Sequence, residues 1–170
     1  MFEDYYYLSS VNKGLVDHFK NLSKKFNKKS FVLDIGSNDG ILLNELKKRN
    51  IKFLGVDPSV NVGKIANSKG LTTLIDFFNN NTVRIIKKNY GYPDYVVASS
   101  VFTHMSNPNK FIESIKKILP INGTFILEIE YLPSILNNYQ FERFYFDRPY
   151  YYSLHTIINI FKKKKMHVVD

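Results

Sequence analysis

The sequence predicts an α/β fold: a doubly wound, mostly parallel sheet with helices on both faces, truncated at the opening of a sixth strand. Three observations carry this expectation. Strand-like and helix-like patterns alternate almost from end to end. The stretch Val32 to Leu43, VLDIGSNDGILL, passes from an apolar strand into a helix through a glycine-bearing loop. The next apolar run, Ile51 to Val56, is followed at once by Asp57, so that one βαβ unit ends in a carboxylate.

Taken in order, Val11, Leu15, Phe19, Leu22 and Phe26 recur at helical spacing and predict a leading amphipathic helix with a solvated, lysine-rich polar face. This leading segment, 1–30, joins a sheet domain, 31–170; no linker or repeat divides the 170 residues, a length that suits one domain. Strands are expected near 31–35, 51–56, 71–75, 94–99 and 124–130, and helices near 40–49, 60–69, 80–89, 108–119 and 153–165. Pro58, Pro93, Pro108, Pro120, Pro133 and Pro149 fall at or near these boundaries, where a missing N–H costs least. Asn122-Gly123 is a turn signal ahead of the TFILEIE strand. Lys162 to Lys165 end a helix in the place where cations complement its dipole, and MHVVD reads as the start of the sixth strand.

A hydrophobic content of 44% is enough to fold, and the absence of cysteine excludes disulfides and thiolate metal sites. With no long apolar run or cleavable leader, a soluble, cytoplasmic protein is expected. The net charge of +9 raises the question of nucleic acid, but 20 of the 24 cationic residues are lysines in a chain rich in other residues of A/T-rich codons. Scattered, solvated lysine is a poorer nucleic-acid surface than clustered arginine.

The first loop carries the most chemistry. Asp34 ends the first strand, Gly36 and Gly40 permit sharp turns and close backbone approach, and Asp39 sits at the expected helix N-terminus. The dinucleotide pattern G-x-G-x-x-G would need glycine at Gly36, Asn38 and Ile41, and the loop fails it. A pyrophosphate loses its usual seat, whereas two acidic residues suit a cationic ligand such as the sulfonium and amino groups of S-adenosylmethionine. Asp57 is placed to accept hydrogen bonds from both hydroxyls of a ribose.

Several separated blocks, DIGSNDGILL (34–43), GVDPSVNVGKIANSKGL (55–71), DFF (76–78), PDYVVASSVFTH (93–104), LPINGTFILEIEYL (119–132) and FYFDRPYYYSL (144–154), resemble class I S-adenosylmethionine-dependent methyltransferases. More narrowly, they are similar to the methyltransferase domain of the nucleotide-sugar C-methyltransferase family. The leading DYYYLSS (4–10) is similar to the segment that enters that domain. The resemblance implies a Rossmann-like fold. It also implies that Asp34, Gly36, Asn38 and Gly40 line the methionine side of the cofactor, with Ser37 and Pro58 in the same two loops, and that Asp57 holds the ribose. Asp76 and Phe77 would lie near the adenine, and Ser99 and Ser100 stand where the family usually has asparagines.

His104, just beyond the fourth strand, would face the substrate, where an imidazole can orient a hydroxyl or move a proton. The chain departs from the family where a Tyr-His-Glu-His run is usual, reading Tyr145-Phe146-Asp147-Arg148. Both histidines are gone, and the second resembles the general base for C-methylation. Arg148 is always protonated and cannot take that proton, although it can bind phosphate or stabilise an oxyanion. Asp147 or His104 remains as a base for a changed reaction such as O-methylation. The family's cysteine-based zinc module and its carboxy-terminal region have no counterpart here, so the expectation is either a fragment or split subunit, or a chain that has shed substrate-recognition parts. Three functions follow as expectations: methyl transfer to a small molecule, a sugar or nucleotide-sugar; a cofactor-binding module serving a partner subunit or a second copy; and, weakest, nucleic-acid methylation. The last lacks the Asn/Asp-Pro-Pro-aromatic run after the fourth strand.

Overall fold

The computed structural model describes residues 5–169. Asp4 of the DYYYLSS segment, the three residues before it and Asp170 of MHVVD lie outside them.

Five strands, β1 (Phe31–Ile35), β2 (Lys52–Asp57), β3 (Thr73–Ile75), β4 (Tyr95–Ser99) and β5 (Thr124–Glu128), form one sheet in the order β3-β2-β1-β4-β5. Every pairing is parallel. The helices are α1 (Lys13–Ser23), α2 (Ile41–Lys48), α3 (Val60–Ser68), α4 (Asn80–Asn89), α5 (Pro108–Ile118), α6 (Leu132–Asn137) and α7 (Leu154–Lys163). The chain moves outward from β1 through β2 to β3, then returns to the other side of β1 for β4 and β5. The loops after β1 and β4 therefore part at the carboxyl edge and leave a crevice there.

Alternation along each strand divides the core in two. Leu33, Ile35, Val96 and Ala98 pack with Val83 and Ile86 of α4, Phe111, Ile112, Ile115 and Ile118 of α5, and Phe161 of α7. Val32 and Val97 face the other way, onto Phe19 and Leu22 of α1 and Leu42, Leu43 and Leu46 of α2. β1 is buried along its whole length, as a central parallel strand must be. Asp34 belongs to this apolar series by position, which gives its carboxylate its chemistry.

Most predicted elements are present with boundaries shifted by a residue or two. Three differ in substance. The leading helix begins only at Lys13, because the Asn12 side chain caps it by accepting from Leu15 N, and Val11 stands before it, 68% exposed. Leu132–Asn137 is helical where no element was expected; it buries a single side chain, Ile135, too little to leave a periodic signal. The predicted sixth strand does not form in residues 166–169. Lys165 takes φ +55, Met166 N turns back to Phe161 O, and Val169 is 90% exposed.

Candidate active site

The loop between β1 and α2 is fixed from the neighbouring strand. Gly36 N donates to Val56 O at 2.7 Å, and Asn38 N donates to Asp57 Oδ2 at 2.8 Å. The other Asp57 oxygen accepts from Ser59 N at 2.9 Å. The carboxylate is thus held by one N–H from each loop, with lone pairs left over on both oxygens. The turn itself needs left-handed backbone, with φ +73 at Gly36, +50 at Asn38 and +85 at Gly40.

Around it lies a cavity of about 770 Å³, within the usual range for a small-molecule site. Asp34, Gly36, Ser37, Asn38, Asp57, Pro58 and Phe77 line one part; Ser99, His104, Tyr145, Asp147 and Arg148 line another. The structure therefore brings together twelve of the fourteen predicted site residues. Gly40 and Asp76 do not line it. Gly40 serves the turn: a Cβ there would come within 2.5 Å of Leu71 Cδ1. Asp76 N donates to Asp57 O, and its own Oδ1 accepts from Phe77 N. Asp39 also turns away from the cavity, accepting from Ser10 N and pairing with Lys69 at 3.2 Å, so the loop's second acid does not supply charge to this wall. Ser37 offers backbone only, since its hydroxyl is buried against Gly55.

Asp34 is 4% exposed and its carboxylate takes no hydrogen bond from any described residue. Burial, and then the charges of Asp57 and Glu128, push its pKa well above the usual carboxylate range. An acid raised by folding holds its proton more tightly folded than unfolded. Its contribution is intact below the unfolded pKa and lost as pH climbs from there through the raised value. Asp34→Asn should therefore flatten the decline in stability above the carboxylate range. Urea unfolding at mildly acidic and mildly alkaline pH checks this; parallel slopes in variant and wild type would count against it. A cation bound beside Asp34 removes the same penalty by stabilising the ionised form.

Ser99 Oγ donates to Glu128 Oε2, while Glu128 Oε1 meets His18 Nε2 of α1 at 2.7 Å, so this predicted contact is already engaged by a residue that sequence reasoning passed over. His104 closes a short 3-10 turn, Phe102–His104, with Nδ1 3.0 Å from Asp147 O and 3.6 Å from Asp147 Oδ2. Donation from Nδ1 to that carbonyl puts the imidazole lone pair on Nε2. Arg148 is paired by Nη1 to Glu130 Oε1 at 2.8 Å and lies over the Tyr145 ring at 4.8 Å. Tyr151 fastens this segment, its hydroxyl accepting from Tyr145 N at 2.8 Å and donating to Arg143 O at 3.0 Å.

Glu128, Glu130 and Tyr5, which also lines the cavity, were missed as site residues. A signal existed for the first two: Glu128 and Glu130 are two apart at the carboxyl end of a parallel strand, where ligands of such sheets collect. No lysine is among the described residues lining the cavity. A chain of net charge +9 thus folds around a cavity lined by Asp34, Asp57 and Asp147, which fits a sulfonium and an amino group.

The sequence matches the family described as "Methyltransferase domain" over residues 7–168. It is 25% identical over 176 residues to the C-methyltransferase NovU of Streptomyces niveus, covering all of this chain and 42% of that protein, so the chain spans less than half the length of this curated relative. Similar solved structures include a chain from the complex of the Haloferax volcanii Trm112 methyltransferase activator with a protein described as a methyltransferase. There the TM-score is 0.72 at 20% identity, over 95% of this chain and 74% of that one. A SAM-dependent methyltransferase from Archaeoglobus fulgidus matches at 0.67 and 18% identity, over 89% and 67%. The plantazolicin methyltransferase BpumL, in complex with SAH, matches at 0.63 and 15%, over 88% and 61%. With its match running over nearly the whole chain and its β3-β2-β1-β4-β5 sheet, the protein belongs to the methyltransferase-domain family, with the fold of class I S-adenosylmethionine-dependent methyltransferases.

Proposed function

We propose that this domain holds S-adenosylmethionine between the β1 loop and Asp57 and delivers its methyl group to a hydroxyl-bearing small molecule, a sugar or nucleotide-sugar. The observation that carries this reading is the single cavity shared by Asp34, Asn38 and Asp57 at one part and His104, Tyr145, Asp147 and Arg148 at another. NovU, named as a C-methyltransferase, and BpumL, found with SAH, support the cofactor and the reaction class. The bound cofactor supplies an electrophilic methyl on a sulfonium. Asp57 would anchor the ribose, Asp34 would balance the positive charge, and the loop backbone would hold the cofactor in place.

On the acceptor side, Arg148 cannot act as a base, and its pairing with Glu130 offsets the charge that a phosphate would seek. An uncharged hydroxyl is the better partner for this wall. His104, oriented by the Asp147 carbonyl, would take the proton of the acceptor hydroxyl, and the bound cofactor would supply the methyl group.

Calorimetric titration with S-adenosylmethionine and S-adenosylhomocysteine tests the cofactor half, and binding in the micromolar range is expected. Turnover to S-adenosylhomocysteine against a panel of nucleotide-sugars tests the acceptor half, with His104→Ala expected to lower kcat by about 100-fold or more. No binding by the wild type sinks the whole reading. Binding without turnover favours a second reading, a cofactor module that works with a partner subunit. That reading rests on the Arg148–Glu130 ion pair where a histidine base is usual, and on the resemblance in fold to a protein found with the Trm112 activator.

A further inference from the structure

The segment ahead of α1 crosses the cofactor end of the cavity and is fastened there by side chains. Asn61 of α3 treats Tyr5 as a strand would: its Oδ1 accepts from Tyr5 N at 3.1 Å and its Nδ2 donates to Tyr5 O at 2.8 Å. Asn38 repeats the device two residues on, with Nδ2 donating to Tyr7 O at 3.0 Å and Oδ1 accepting from Ser9 N at 3.0 Å. Ser10 completes the row on Asp39. Residues 5–8 have no regular secondary structure, so amide side chains replace a sheet partner for this backbone.

Two features tie these clasps to the site. Tyr5, Tyr7 and Ser9 all line the cavity, and burial raises the pKa of the Tyr5 phenol, with Asp147 and Asp57 adding to the rise and Arg148 opposing it. Asn38 gives its backbone N–H to Asp57, the ribose carboxylate, while its side chain holds the strap. Its left-handed backbone, φ +50, is tolerated by asparagine better than by most residues.

We propose that residues 5–10 are a gate over the cofactor, and that Asn61 and Asn38 are the positioning residues that keep it shut. The proposal rests on S-adenosylmethionine occupying the Asp57 end. In this arrangement the strap lifts to admit or release cofactor, and the clasp sets how often it does so. Asn61 is the clean probe, because it does not line the cavity and, among the described residues, its side-chain hydrogen bonds go to Tyr5.

The experiment is stopped-flow binding of S-adenosylhomocysteine, followed by tyrosine fluorescence, to wild type, Asn61→Ala and Asn61→Asp. Loss of both hydrogen bonds should open the gate about 30-fold more often. For a gate, association and dissociation rates both rise by that factor in Asn61→Ala while Kd stays within about threefold. Asn61→Asp keeps the acceptor for Tyr5 N and should fall between. Matching urea midpoints exclude general unfolding as the cause. Rates within twofold of wild type overturn the gate, and so does a faster dissociation with unchanged association, which is the mark of a lost ligand contact. If wild type fails to bind the ligand at all, the cofactor reading falls, and the gate with it.

Discussion

Asp57→Ala is expected to weaken S-adenosylmethionine and S-adenosylhomocysteine by about 100-fold or more in calorimetric titration. Two losses combine. Hydrogen bonds from ribose hydroxyls to a buried carboxylate are worth roughly 1.5–3 kcal/mol each, and both go at once. The same carboxylate also receives Asn38 N and Ser59 N, so its removal leaves two buried donors without acceptors and loosens both loops. Asp57→Asn separates the effects. It keeps the size but turns an N–H₂ toward one of those backbone donors, and should bind nearly as poorly as alanine. An alanine variant within threefold of wild type would remove Asp57 from the site.

Gly36→Ala is expected to cost the fold about 2–5 kcal/mol, read as a lower urea midpoint. Left-handed backbone at φ +73 costs an L-residue about 1–2 kcal/mol. The added Cβ would also stand 2.2 Å from Val101 Cγ2, and overpacking of that kind costs about 1–3 kcal/mol. The two terms come apart in Gly36→Ala/Val101→Ala, which removes the obstructing methyl but leaves the backbone strain. The double variant should recover the packing share only, a coupling that a double-mutant cycle reads directly. The contact matters to function because Val101 leads the loop that carries His104: the tightness of the β1 loop sets how closely the β4 loop approaches.

The fold was legible because each strand and helix writes its own period. Leu33, Ile35, Val96 and Ala98 against Val32 and Val97 are a period of two, and the apolar positions of α4 and α5 recur at helical spacing. α6 was not, because six residues with one buried side chain leave no period to read. The predicted sixth strand rested on a short apolar run, MHVVD, and the left-handed turn at Lys165 that redirects it depends on the Phe161 carbonyl, outside that run.

Much of the candidate site was legible as well, since Gly36, Asn38 and Asp57 carry their geometry in the local turn and strand end. Charge partnerships were not. Asp39 and Asp34 lie five residues apart and look equivalent in sequence. One is spent on Ser10 and Lys69, and the other is left buried against the cavity without a described hydrogen-bond donor. Arg148 likewise reads as a cation for a phosphate or an oxyanion, or as the ion-pair partner of its neighbour Asp147, until Glu130, eighteen positions earlier, is found 2.8 Å away.

By itself the sequence determined the βαβ order, the turn that replaces a dinucleotide loop and the carboxylate that ends β2, because these depend on residues within one turn or strand of each other. Only the tertiary structure decided which acids face the cavity, that Arg148 is neutralised, and that Asn38 and Asn61 fasten the leading segment across it. Those outcomes depend on side chains 18 to 56 positions apart meeting at one sheet edge. No local preference encodes that meeting; it comes from the reversal of strand order between β1 and β4 and from the packing of α1 and α3 beside it.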